Sequence, residues 1–116
     1  MGIAQQRGRA GEALAAAYLE LVGCRPVARN VRLGGVEVDV VVDDGETRVL
    51  VEVRLRTRGD FGGAAATVDH RKRERLVRAA RALGQLGVTR VRVDVVAVDL
   101  APERATITHY RNAVTD

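Results

Sequence analysis

The feature that most limits what this chain can become is a pair of valine-alternating segments joined by a turn. Val36 to Val42 reads Val-Glu-Val-Asp-Val and then continues in valine. Thr47 to Arg56 alternates again, with Val49, Val51, Val53 and Leu55 in one phase and Leu50, Glu52, Arg54 and Arg56 in the other. Period-two alternation of β-branched residues marks strands, and Asp43-Asp44-Gly45-Glu46 between them is a hairpin turn. A turn centred on Asp44-Gly45 predicts that Glu37 faces Glu52 and that Asp39 faces Leu50. Asp39 and Glu52 are then diagonal neighbours on one face, within reach of a shared ion, and Arg54 and Arg56 point the same way. The same register sends Val36, Val38, Val40, Val49, Val51 and Val53 to the other face.

The rest of the chain supplies helices to cover such a sheet. Ala4 to Val22 is rich in Ala, Leu and Glu and predicts a helix with Leu14, Tyr18, Leu21 and Val22 as its apolar stripe, ended by Gly23 and followed by Pro26. Val27 to Arg32 predicts a first strand, broken by Gly34-Gly35. After a Gly- and Ala-rich loop from Arg58 to Ala66, Val68 to Leu86 predicts a basic helix with Leu76, Val77, Ala80, Leu83 and Leu86 on its apolar side, closed by Gly87. Arg90 to Leu100 is another valine strand, carrying Arg92 and Asp94, and Thr106 to Tyr110 a short edge strand. The order predicts one α/β domain over residues 1–116, a mixed sheet flanked by helices. The second helix is the crossover between parallel strands, in the usual right-handed sense.

Composition narrows the function classes. At 116 residues with 47% hydrophobic content, the chain is long and apolar enough for one core. No apolar run approaches the ~18 residues of a membrane span, and Met1 to Arg9 lacks the apolar region of a signal peptide. One cysteine, Cys24, permits no internal disulfide and suits a small buried hydrophobe. The expectation is a cytoplasmic protein without membrane association. Nineteen basic residues against fifteen acidic give +4, and the basic set holds a single lysine, Lys72. With pI near 10.2 this favours an acidic partner such as nucleic acid. Aromatics at 3% argue against a stacking platform for bases. Arg71, Arg75 and Arg78 on the basic helix, with Arg56 on the strand before it, are the candidate phosphate contacts; a solvated amphipathic face is the alternative.

Glu37, Asp39 and Glu52 on one face of a hairpin repel one another. Three explanations fit: a solvent-facing surface neutralised by Arg54 and Arg56, a structural charge network, or a site for Mg²⁺ or Mn²⁺, which favour carboxylate oxygen. Asp94, set between valines, fits a salt bridge with Arg92 or Arg90 as well as a catalytic role. His70 and His109 show no ligand spacing, and Gly62-Gly63 is too short for a phosphate loop.

Gly35-Val36-Glu37-Val38-Asp39 followed by Val51-Glu52-Val53-Arg54 resembles the PD-(D/E)xK nuclease core. More narrowly, the chain resembles the YraN family, small proteins with a restriction-endonuclease-like, Holliday-junction-resolvase-like fold. The matching pieces are Gly8-x-x-Gly11-Glu12, Arg29-Asn30, G-x-E-x-D, V-E-V-R-x-R, Phe61-Gly62, Lys72 and Arg92-Val93-Asp94-Val95-Val96. The resemblance implies a Mg²⁺- or Mn²⁺-dependent endonuclease acting on DNA, branched DNA included. It implies Asp39 and Glu52 as ligands, the backbone carbonyl of Val53 as a third donor, and Glu12 as a further acid from the first helix. Resolvases that cut two strands generally act as dimers, so it is also compatible with a homodimer. The superfamily lysine is Arg54 here. Arginine keeps the charge but does not give up its proton, so Lys72 is the natural substitute; a lone surviving lysine on a solvated helix is the alternative. With Arg54 in that position, the resemblance also leaves room for a non-catalytic nucleic-acid-binding or adaptor module that keeps the fold.

Overall fold

Both helices stop where a glycine allows it. Helix α1 covers Ile3–Leu21, and Gly23 beyond it takes φ +100. The N–H of Gly23 donates to the Glu20 carbonyl and that of Cys24 to the Leu19 carbonyl, the paired bonds of a Schellman cap. Helix α2, His70–Gln85, ends the same way, with Gly87 donating to Gly84 and Val88 to Leu83. Each cap turns the residue after its glycine inward: Cys24 packs in the same core as Leu19, and Val88 against the core that holds Leu83.

The computed structural model describes residues 2–57 and 70–114, without the side chains of Ile3, Ala4, Gln5 and Arg7. Phe61-Gly62, Gly62-Gly63, most of the expected Gly- and Ala-rich loop and the expected helix start at Val68 lie outside the described residues. The strands are β1 (Arg25–Leu33), β2 (Val36–Asp44), β3 (Thr47–Arg56), β4 (Val91–Ala101) and β5 (Arg104–Tyr110). They form one sheet in the order β1-β2-β3-β4-β5. Only β3 and β4 pair in parallel, and α2 lies in the connection that brings the chain back to the same end. The architecture is the expected α/β one, a mixed sheet flanked by helices. No helix among the described residues is long and apolar enough to cross a membrane.

The sheet separates two cores. On one side Leu76, Ala79 and Leu83 of α2 pack on Val36, Val38, Val41, Leu50, Val93 and Val95. On the other, Ala15 and Leu19 of α1 pack on Val40, Val42, Val49, Val51, Val96 and Val98. The expected α1 stripe is corrected: Leu14, Leu21 and Val22 are exposed, and the helix instead seats Ala15 and Leu19. Gly11 lies so close that a Cβ there would stand 3.2 Å from Leu55 Cδ1, which draws the Glu12 turn down onto β3.

Two details of the hairpin also differ from expectation. The turn is Gly45-Glu46, so Asp44 pairs with Thr47 and Val40 with Val51. This moves the register by two residues and brings Asp39 level with Glu52 instead of Leu50. Gly45 takes φ +61, and a two-residue turn that starts with a positive φ matches the twist of the strands. In addition, the valines of β2 do not share one face. Val36 and Val38 belong to the α2 side, Val40 and Val42 to the α1 side. The phase breaks at Asp39. Its opposite position on β1 is Asn30, whose φ of +52 is left-handed, and the β1–β2 pairing runs from Arg29↔Val40 to Val31↔Val38 around it.

Candidate active site

The phase break decides what Asp39 does. The β2–β3 ladder ends at Val40↔Val51. Past that point Asp39 reaches across with its side chain: Oδ2 accepts the Val53 N–H at 2.8 Å. A carboxylate thus replaces the backbone carbonyl that a continued ladder would offer, and the two strands part. The N–H and C=O of one strand residue point to the same neighbour, so the carbonyl of Val53 faces the same gap. The resemblance implies this carbonyl as a backbone ligand for a metal ion.

Acids and cations converge on that gap from both helices. Glu52, on the α2 side, is 5% exposed, and Lys72 of α2 places Nζ 3.2 Å from its Oε1. Burial first, then the Asp39 charge, push the Glu52 carboxyl up to about 7 against the opposing pull of Lys72 and Arg54. Burial also raises Asp39, with the Val53 N–H and Lys72 working against it. Glu12 comes from α1. Its carboxyl is raised by burial and by Asp39, and an Asn30 hydrogen bond lowers it in part. Oε1 of Glu12 is buried without a hydrogen-bond partner among the described residues. Glu12, Asp39, Glu52, Arg54 and Lys72 therefore form one electrostatically coupled group, with Asp39 acting on the acids from both layers.

The expected phosphate contacts divide. Arg75 and Arg78 line a cleft of about 420 Å³ with Lys72, Glu37 and Arg32. Arg71 is exposed on α2 but outside that lining. Arg56 is corrected: it pairs with Asp99 through Nε and Nη2, the latter at 2.7 Å to Oδ2, and both side chains are largely buried. The β3–β4 register sets Arg56 beside Asp99, and the acid, not a phosphate, holds the guanidinium.

Sequence reasoning did not find the second buried acid network. Asp94 is fully buried and receives Arg92 Nε and Nη2 at 2.9 and 3.0 Å. The N–H of Asn112 donates to it at 2.9 Å, and His109 Nε2 lies 2.8 Å away. Tyr18 OH meets the other ring nitrogen of His109 at 2.9 Å. With Nε2–H given to Asp94, Nδ1 is the acceptor for Tyr18, a tautomer assigned from the network. Burial works to raise Asp94, but the Arg92, Asn112 and His109 bonds outweigh it, and the carboxyl is held below its ordinary range. Only the Arg92 part of this was legible, from the Arg-Val-Asp spacing.

Comparison with known proteins gives relatives without an assigned activity. A family model described as "Uncharacterised protein family UPF0102" matches residues 11–98. A UPF0102 protein of Halorhodospira halophila is 47% identical over 95 residues, 82% of this chain and 78% of that one. One from Anaeromyxobacter dehalogenans is 47% identical over 109 residues, 91% of this chain and 81% of that one. UPF0102 protein YraN of Salmonella agona is 49% identical over 77 residues, 66% of this chain and 59% of that one. Several relatives are thus matched over less than two thirds of their own length. Among solved structures, Pyrococcus furiosus SfsA in complex with Ca²⁺ aligns with TM-score 0.39 and 14% identity, over 97% of this chain and 65% of that one. That superposition is too loose to bear on function.

Proposed function

The chain belongs to the uncharacterised protein family UPF0102, and on that premise we propose that it is a divalent-metal-dependent endonuclease acting on DNA, branched DNA in particular. The observation that carries this reading is the buried Glu52 beside Asp39, its carboxyl raised to about 7 with a lysine ammonium at 3.2 Å. Three acids raised by burial, Glu12, Asp39 and Glu52, against two cations, Lys72 and Arg54, leave a site short of positive charge. The donor set is hard oxygen, which suits Mg²⁺ or Mn²⁺, and Glu12 Oε1, without a hydrogen-bond partner among the described residues, adds an acceptor to the same group. Asp39, Glu52 and the Val53 carbonyl would hold the ion, with Glu12 orienting water from the α1 side. A divalent ion supplies Lewis-acid polarisation of a phosphodiester. Lys72 holds positive charge beside Glu52 and, unlike Arg54, is able to exchange a proton at Nζ; Arg54 contributes fixed charge.

A second reading, a non-catalytic nucleic-acid-binding module, draws support from one observation. Among the described residues no three His, Cys, Asp or Glu side chains come together as a metal-binding group. Incubation of the purified protein with a four-way DNA junction in Mg²⁺, Mn²⁺ or EDTA separates the two. Cleavage that needs metal and is lost in Asp39→Asn, with binding retained, is the expected result. Cleavage undiminished in Asp39→Asn places the site elsewhere. Silence on branched, nicked and single-stranded DNA with either metal leaves the module. Lys72→Arg should be damaging and Arg54→Lys nearly silent if Lys72 fills the superfamily lysine's role; the reverse outcome returns that role to position 54.

A further inference from the structure

The cleft between α2 and the β1–β2 turn gathers cations from two elements around one opening. Five other arginines are held by acids instead: Arg25 and Arg48 by Asp43, Arg56 by Asp99, Arg90 by Glu46, Arg92 by Asp44 and Asp94. In the cleft, Arg75 and Arg78 have no carboxylate within ion-pair distance among the described residues. Arg32 faces them from β1, its Nη2 donating to the Gly35 carbonyl at 2.9 Å. Among the described residues only Glu37 opposes this charge within the lining, and Lys72 closes the end next to Glu52.

The walls are fixed in position. Gly34 and Gly35, at φ +58 and +77, make the two-residue turn. Gly34 sits so tightly on α2 that an added Cβ would stand 3.1 Å from Ala82 Cβ and 3.3 Å from the Arg78 carbonyl oxygen. The β1 wall therefore rests on the helix that carries Arg75 and Arg78. Lys72, Arg75 and Arg78 recur every third residue, a stripe covering about 9 Å of helix axis. At one phosphate per ~3.4 Å along each strand, that is the length of about two to three nucleotides.

We propose that this cleft is a phosphodiester-binding groove, which takes a short run of nucleic-acid backbone between Arg32 on one wall and Arg75 and Arg78 on the other and leads it past Lys72 to the acid group. The direction toward the acids rests on the endonuclease reading; the groove itself does not. Among the described residues no aromatic side chain lines it, and its cations suit backbone contact more than base readout. A lipid surface fits less well, because interfacial binding calls for an exposed apolar face beside the cations, whereas Leu76 and Val36 in this lining are buried.

The test is anisotropy of a fluorescein-labelled mixed-sequence DNA duplex and of its single strand in EDTA, titrated with the full chain across roughly 50–200 mM salt. Arg32→Ala, Arg75→Ala and Arg78→Ala should each weaken binding roughly fivefold and reduce the salt slope by about one, equally on unrelated sequences. Arg104→Ala, which removes the same charge from the exposed start of β5, should change affinity less than twofold, or roughly within the noise of a surface substitution. Equal losses from Arg104→Ala would reduce the groove to net charge and overturn the proposal. So would unchanged binding in the three groove variants, or capture by phosphatidylserine vesicles that DNA does not displace. EDTA removes metal-dependent cleavage from the measurement, so a groove that binds in a protein that never cuts sinks the endonuclease alone.

Discussion

Glu52 and Asp94 are the two buried charged residues among those described. They sit on adjacent strands, where Val51 pairs with Asp94 and Glu52 with Val95. They differ in the company the sheet gives them. Asp94 faces the α1 side and collects a bidentate guanidinium, a backbone N–H and a histidine; its carboxyl is held low. Glu52 faces α2 and has Lys72 against it, with Asp39 adding negative charge nearby; its carboxyl is raised to about 7. Burial pushes both the same way, so the count and placement of donors decide the outcome. Asp94 is built to keep its charge in a closed network. Glu52 is left with a deficit that a proton or a cation can fill.

This contrast can be broken most easily at Asp94. Asp94→Ala strands Arg92 and His109 without their buried partner and should cost about 3–5 kcal/mol in urea unfolding. A loss no larger than that of an exposed ion pair would mean the network is ornamental.

Next in size is the opposite pH behaviour of the two acids. Glu52 holds its proton up to about pH 7 when folded but releases it near 4.5 when unfolded. Between those values the native chain binds more protons, so its contribution to stability falls as pH rises, by something on the order of 3 kcal/mol. Asp39, also raised, adds in the same direction. Asp94 acts in the other sense: its contribution is present above 3.8 and is lost as pH falls through the depressed folded value. Unfolding curves from pH 4 upward should show this decline in the wild type and a flatter profile in Glu52→Gln. An unchanged slope in that variant would assign the titration to another group.

Tyr18→Phe removes the hydroxyl donated to His109 and leaves a buried acceptor unsatisfied. A destabilisation of about 1–2 kcal/mol is expected, measurable by the same denaturant midpoint. Arg25→Ala serves as the floor of the scale. Its pair with Asp43 spans 3.5 Å with Arg25 77% exposed, and its loss should cost less than about 1 kcal/mol and diminish further in high salt.

What was legible in the sequence follows the range of the forces involved. Alternation, turn glycines and helix-ending glycines act over a few residues, so α1, the hairpin, the crossover and the edge strand were all visible. The nearness of Asp39 and Glu52 was legible as well, since a two-residue shift of register only turns diagonal neighbours into opposite ones; the face on which Asp39 lies was not, because the phase of β2 breaks there. The exact turn did not, since Asp43-Asp44-Gly45-Glu46 accommodates two turns of equal chemistry. The break at Asp39 was hidden because it depends on Asn30, which supplies a left-handed residue on the strand opposite. Arg56 was misplaced for a similar reason: Asp99 is brought beside it by the parallel pairing. The Tyr18–His109–Asp94 chain joins residues 91 and 15 positions apart, and no local pattern announces such a meeting.

The parallel pairing of β3 with β4 also bears on the order in which the site is assembled. The β1–β2–β3 meander is closed by two turns of two residues, whereas Arg48↔Val91 must wait for all of α2 and its connections. Contacts close in sequence form at lower entropic cost than distant ones. A chain with only the meander formed would already align Asp39 with Glu52, without the burial that raises both carboxyls in the folded protein. Their raised proton affinity arises when β4 and α2 dock. Proton uptake by Glu52 near neutral pH is therefore expected to accompany the β3–β4 pairing and not the hairpin, and stopped-flow refolding with a pH indicator in which uptake comes ahead of that pairing would break the link.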